Sequence, residues 1–188
     1  MRRLSSWIVA GDRDGHDPGA VADALEALAD GLPTGRVPSR YGGPLVADDD
    51  PHAGGGHPFT GLANPVSPPV AMELVDGVAW GRGRFDAVYE GPPGAVHGGY
   101  VAGVFDVVLG LAARAATKAA VTGELTIRYH RPTPLDEDLV FRGWIAEDEG
   151  RHLKVKGELH AFDDFLTAEA EGLFVATRHP GFSGPLEP

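Results

Sequence analysis

Apolar and polar residues recur with a regular period only from about Val66 onward. In VTGELTIRYH, Val121, Leu125, Ile127 and Tyr129 fall to one side together with Gly123, while Thr122, Glu124, Thr126, Arg128 and His130 fall to the other. A period of two predicts a half-buried strand. HLKVKGELHAF repeats it, with Leu153, Val155 and Leu159 alternating against His152, Lys154, Lys156, Glu158 and His160. LVFRGWIAE and LTAEAEGLFVAT read as two further strands, and the polar turns LDED, EDEG and FDD divide the set. AMELVDGVAWGRGRF holds an Asp-Gly pair between two strand-like runs, the mark of a hairpin. Between the hairpin and the four strands, YVAGVFDVVLGLAARAA is apolar on nearly every side and predicts a helix buried on nearly every side.

A hairpin, one long helix and four strands joined by short turns make an α+β domain, a largely antiparallel sheet covered by a single helix. A helix apolar all round needs a second surface, most simply a two-fold mate. Upstream, residues 1–65 are rich in Gly, Pro and Asp. Their one helix-like island is PGAVADALEALADG, with Val21, Leu25, Leu28 and Leu32 at helical spacing between Pro18 and Gly31. GDRDGHDPG and VADDDPHAGGGHP read as loop. The expected organisation is an N-terminal arm with one short helix over 1–65, a folded domain over 66–178 and a tail over 179–188.

Charge and composition narrow the classes of partner. The chain of 188 residues carries 16 Lys and Arg against 27 Asp and Glu, a net charge of −11, which argues against nucleic acid or an anionic membrane as main partner. With no cysteine, disulfides, thiolate metal sites and cysteine nucleophiles are excluded. The start, MRRLSSWIVAG, has too short an apolar run for a secretory signal, and no stretch reaches the ~20 apolar residues of a membrane span. The expectation is a soluble cytoplasmic protein.

The chemistry is concentrated in VHGGYVAGVFD. Glycines at a helix start leave N–H groups that a ligand oxygen can approach closely, and the helix dipole adds partial positive charge there. His97, Gly98 and Gly99 thus form a place to polarise a carbonyl. Asp106 lies seven residues beyond Gly99, roughly 10 Å along the helix axis, too far to reach a carbonyl held by its own helix start. Two such helices running antiparallel across a two-fold axis would carry each Asp106 to the other chain's glycines. Taken singly, these residues have plainer readings: Asp106 as a satisfied core group or the N-cap of a helix beginning at Val107, the glycines as turn residues, and His97 as a loop donor.

VHGGYVAGVFD, followed by VTGELTIRYHRPTPL and TAEAEGLFVAT, resembles the hotdog-fold acyl-CoA thioesterases of the PaaI-like and 4-hydroxybenzoyl-CoA thioesterase group. The resemblance spans about residues 66 to 177 and is most specific in the His-Gly-Gly to Asp spacing. It implies a curved antiparallel sheet wrapped around a long central helix, in dimers that often pair again into tetramers. It also implies hydrolysis of an acyl-CoA at a site shared between subunits. By the same resemblance the Gly98 amide binds the thioester oxygen, Asp106 is base or nucleophile, and a hydroxyl at the start of the next strand, here Thr122, orients water. Thr122 reads equally as an ordinary polar strand residue. Some members carry an asparagine six residues before the histidine, where this chain has Gly91, with Glu90 beside it as a substitute candidate. CoA would enter as part of the substrate, with no separate cofactor, and an acidic chain needs local basic groups for its phosphates. Arg128, Arg131, Arg151, Lys154 and Lys156 are the candidates.

Two other functions fit the same pattern: an enoyl-thioester hydratase or dehydratase in which His97 shuttles protons, and a non-catalytic acyl-CoA sensor. A carboxylate within the helix after a glycine pair favours hydrolysis over hydration, and a sensor gains nothing from an isolated buried carboxylate. GFSGP lacks the second glycine of a nucleophile elbow, and GRGRFD has Asp86 where a dinucleotide fingerprint needs glycine. Asp48, Asp49, His52 and His57 suggest a metal site only on paper; a solvated loop is the better reading, and no metal is expected.

Overall fold

The computed structural model describes residues 2–11, 15, 17–32, 57–60, 64–116, 120–162 and 164–176. The arm contributes two helices, α1 (Arg2–Ala10) and α2 (Pro18–Asp30). The second is the predicted island: Asp17 caps it by accepting from the Gly19 amide at 2.8 Å, with proline as its first residue. The first was not anticipated. It is a correction to an arm with one helix, and it docks through Ser6, whose hydroxyl bonds the Asp86 carboxylate.

The domain is built from β1 (Val70–Val75), β2 (Val78–Arg84), α3 (Gly98–Ala113), β3 (Ala120–Tyr129), β4 (Asp138–Glu149), β5 (His152–Ala161) and β6 (Phe165–Ala176). Asp76 and Gly77 turn β1 into β2 with φ of 50° and 80°, the left-handed pair that an Asp-Gly hairpin supplies. Every strand pairing is antiparallel, in the order β1-β2-β4-β5-β6-β3. One expectation fails here: β3 and β4 are consecutive yet not neighbours. The segment between them, stiffened by Pro132 and Pro134, crosses the end of the sheet instead of turning. On its way Thr133 O accepts from the Val96 amide at 2.8 Å and Leu135 N–H donates to Gly94 O at 3.1 Å. That crossing strap pins the loop that leads into α3.

The sheet wraps α3. Val101, Val104, Phe105, Val108, Leu109, Ala112 and Ala113 are buried against inward residues of the strands, among them Phe141, Leu153, Val155, Leu159 and Phe174. Close approach depends on glycine. Gly143 and Gly157 face each other across β4 and β5, and a Cβ on Gly157 would lie 2.8 Å from both Arg142 O and Leu109 Cδ2. The run Gly98–Ala116 is apolar and long enough, by length and composition, to cross a membrane; the face packed on the sheet accounts for that apolarity. Burial all round is a second expectation to correct. Ala102, Gly103, Asp106, Val107 and Gly110 form a half-exposed face of α3 that the sheet does not cover.

Candidate active site

The start of α3 is held from three sides before any ligand is considered. The His97 amide donates to Tyr89 O at 2.8 Å, Val96 is tied to Thr133, and Gly91 N–H bonds Ala95 O at 2.9 Å. His97 is the N-cap, and its Nδ1 accepts from the Gly99 amide at 2.9 Å. The Tyr100 and Val101 amides reach His97 O at 2.9 and 3.4 Å. Of the first four helical amides, only that of Gly98 then lacks an acceptor among the described residues. An unpaired donor at the positive end of a helix can receive an anionic or polarised oxygen.

The carbonyl of the same residue is fixed by a group that pattern analysis left in the apolar set. The Tyr129 hydroxyl donates to Gly98 O at 2.8 Å, and its ring lies 3.3 Å from where a Cβ on Gly98 would stand. Partial burial raises the Tyr129 phenol above its ordinary range, so it remains a donor at neutral pH. The departure at Gly91 also has a steric reason: a Cβ there would lie 2.7 Å from His97 Cα. No side chain fits while His97 keeps its place. The neighbouring Glu90 carboxylate accepts from the Gly94 amide at 2.7 Å, closing its own loop.

Asp106 sits in the middle of α3, on its half-exposed face, and is not the cap of a later helix. The expected full burial of this carboxylate does not occur within one chain. Its partner is Thr122, whose hydroxyl donates to Asp106 Oδ1 at 2.7 Å. Strict alternation had put Thr122 on the side away from the helix, and a β-bulge overturns that. Between Thr122 and Glu124 the register with β6 slips by one, leaving Gly123 as the extra residue. Thr122 consequently pairs with Phe174, whose side chain is buried, and shares the inner face with Leu125, Ile127 and Tyr129; Val121 is turned outward and is 39% exposed.

The structure brings His97, Gly98, Gly99, Asp106 and Thr122 to α3 and the inner face of β3. The Gly98 amide and Asp106 stay eight residues apart along one helix, roughly 12 Å at the usual rise. The basic candidates lie elsewhere. Arg128, Lys154 and Lys156 alternate with inward residues and so project from the outer face of the sheet. There Lys154 pairs with Glu147 at 2.7 Å and Lys156 with Glu171 at 3.7 Å, and Arg128 and Lys156 line a groove shared with Glu158, Glu169 and Glu171. Arg151 is exposed in the β4–β5 turn. Arg131 follows β3 at the Tyr129 end, donating to Leu166 O at 3.1 Å with its guanidinium over the Phe165 ring. Of the imagined metal ligands, Asp48, Asp49 and His52 lie outside the described residues, and no group of three potential ligands occurs among the described ones.

A family model described as Thioesterase superfamily matches residues 93–168, a span holding His97, Asp106 and Thr122. A solved thioesterase superfamily protein is 35% identical, over 93% of this chain and 90% of its own, with a TM-score of 0.76. The chain belongs to the thioesterase superfamily. Among curated superfamily relatives, the acyl-coenzyme A thioesterases THEM4 of Mus musculus and Xenopus laevis are 37% and 33% identical over 87 residues, 46% of this chain. The chain spans 37% and 39% of their respective lengths. A hypothetical thioesterase protein of Streptococcus pneumoniae, solved with coenzyme A, is 18% identical over 57% of this chain and 88% of its own, with a TM-score of 0.54. The six-stranded antiparallel sheet around one helix is therefore the hotdog fold that the sequence resembled.

Proposed function

We propose that the protein hydrolyses an acyl-CoA thioester to a carboxylic acid and free CoA. The observation that carries this reading is the 2.7 Å bond from the Thr122 hydroxyl to the Asp106 carboxylate. It fixes one carboxylate oxygen and leaves the other to act on water or on the carbonyl carbon. Acyl transfer also needs a donor for the oxyanion, and the unpaired Gly98 amide, steadied by Tyr129 on its carbonyl side, supplies one. Since one helix cannot bring both groups to one carbon, we place each site between two chains. β3 pairs only with β6 among the described strands, so its other edge is a ten-residue template for a second strand. Two-fold pairing of β3 with its mate would set the α3 helices antiparallel, Asp106 of one chain facing the Gly98 amide of the other, twice per dimer.

The relatives named as acyl-coenzyme A thioesterases and the CoA-bound neighbour support the substrate class. For the CoA phosphates Arg131 is the basic group we favour, because it stands at the end of β3 that also carries Tyr129. Hydration is disfavoured because His97 Nδ1 is committed to capping α3. The test is thiol release from a panel of acyl-CoAs of graded chain length and from aryl-CoAs. Hydrolysis that Asp106→Asn reduces by orders of magnitude, with the dimer intact, supports the reading. Binding without thiol release, or a changed acyl chain without free CoA, contradicts it.

A further inference from the structure

The half-exposed face of α3 is not bare beside Asp106. Phe59, from the arm, is seated on Gly103: a Cβ on that glycine would fall 2.3 Å from two carbons of the Phe59 ring and 2.6 Å from a third, so the ring occupies a notch that only glycine leaves open. The ring is partly buried and packs against the hydrophobic core. Gly103 and Asp106 are three positions apart on one face of the helix, where Cβ positions stand about 5–6 Å from each other. On the β3 side the same carboxylate is closed off by the Thr122 hydroxyl. A wholly apolar side chain from the arm therefore borders the acid within one helical turn.

We infer that Phe59 is the floor of the acyl pocket and sets the length of acyl chain that the protein accepts. The inference rests on the hydrolytic reading, with its site between two chains. Asp106 of one chain then faces Gly98 of the other, and two antiparallel helices paired in that way are crossed by the two-fold axis near Ala102, midway between those positions. The reacting carbon stands level with Asp106 and with the helix start of the mate, within about 3–3.5 Å of the carboxylate. The CoA side leaves outward, past Tyr129 and Arg131 of the chain that lends the amide. The acyl chain points the opposite way, along α3 toward the axis. It meets Gly103 within one turn, and what stands there is the Phe59 ring. Because Gly103 has no side chain of its own, the arm and not the helix sets the depth of the pocket.

The experiment compares kcat/KM for thiol release by the unmodified full chain and by Phe59→Leu and Phe59→Ala. The substrates run from acetyl-CoA to palmitoyl-CoA, with a matching series of ω-phenylacyl-CoAs. Removing the ring deepens the pocket. We expect Phe59→Ala to move the preferred chain length upward, raising kcat/KM for the next longer substrate relative to the one the unmodified protein prefers by about tenfold. Phe59→Leu, which keeps an apolar contact with the core, should fall between the two, and melting curves check that each variant is folded. Chain-length profiles that superimpose on that of the unmodified protein would overturn the inference and leave the hydrolytic reading standing. So would a profile lowered equally at every length, the result of losing a merely structural contact. An unmodified protein that releases thiol from no member of the panel would overturn both.

Discussion

Replacing Thr122 by valine removes one hydrogen bond and almost no volume, which makes it a clean probe of the carboxylate. The bond is 2.7 Å long and runs to a carboxylate oxygen; hydrogen bonds to charged groups contribute about 1.5–3 kcal/mol. Thr122 is exposed and Asp106 half-buried, so water competes and the lower end, about 1.5 kcal/mol, is appropriate. If the bond orients the carboxylate in the transition state, that loss corresponds to about a tenfold fall in kcat. Valine suits a strand at least as well as threonine, so thermal stability should hold. Single-turnover and steady-state thiol release would be measured for Thr122→Val, Thr122→Ser and each on the Asp106→Asn background. Serine keeps the hydroxyl and should recover most of the rate, and on the Asp106→Asn background valine should cost nothing more. Turnover within twofold of the unmodified protein for Thr122→Val would refute the reasoning and return Thr122 to an ordinary strand position.

Other outcomes follow from the same geometry. Gly98→Pro deletes the unpaired N–H at the first helical position, where proline is accepted and where the His97 ψ of 129° suits a following proline; kcat should fall about 10²–10³-fold with the helical circular dichroism signal retained. Tyr129→Phe frees Gly98 O and should lower kcat severalfold, while a rise in KM alone would contradict the role assigned to the hydroxyl. Gly157→Ala drives a methyl against Arg142 O and Leu109, costing about 1–3 kcal/mol and lowering the melting temperature by several degrees. Glu158 is pushed upward by desolvation but held below its ordinary carboxylate value by bonds from His160 and Arg142. Its contribution is present above the unfolded value and lost as pH falls through the lower folded one, so Glu158→Gln should flatten the acid limb of a stability-against-pH curve below about pH 4.5.

The strands and central helix were legible because their periods are clean and their turns carry Asp, Gly and Pro. The order of strands was not: neighbours in sequence were taken as neighbours in space, and nothing in HRPTPLDED marks it as a crossing segment rather than a turn. At the site, the His-Gly-Gly start and Asp106 could be read from one helix. The face of Thr122 could not, because a bulge at Gly123 inverts the alternation, and a glycine inside a strand was the only hint of one. Tyr129 was hidden among apolar positions that its ring satisfies equally well. Phe59 belongs to a Gly- and Pro-rich stretch without periodicity, and its seat on α3 is Gly103, a residue with no side chain to announce a contact.

Complementation between two inactive chains tests the shared site most directly. Chains carrying Asp106→Asn and Gly98→Pro, co-expressed and purified through two different tags, retain one intact acid and one intact amide per mixed pair. If each site draws its acid from one subunit and its amide from the other, the doubly tagged dimer holds one working site of two and shows about half of the unmodified activity per chain. Mixed dimers as inactive as either parent would contradict the account.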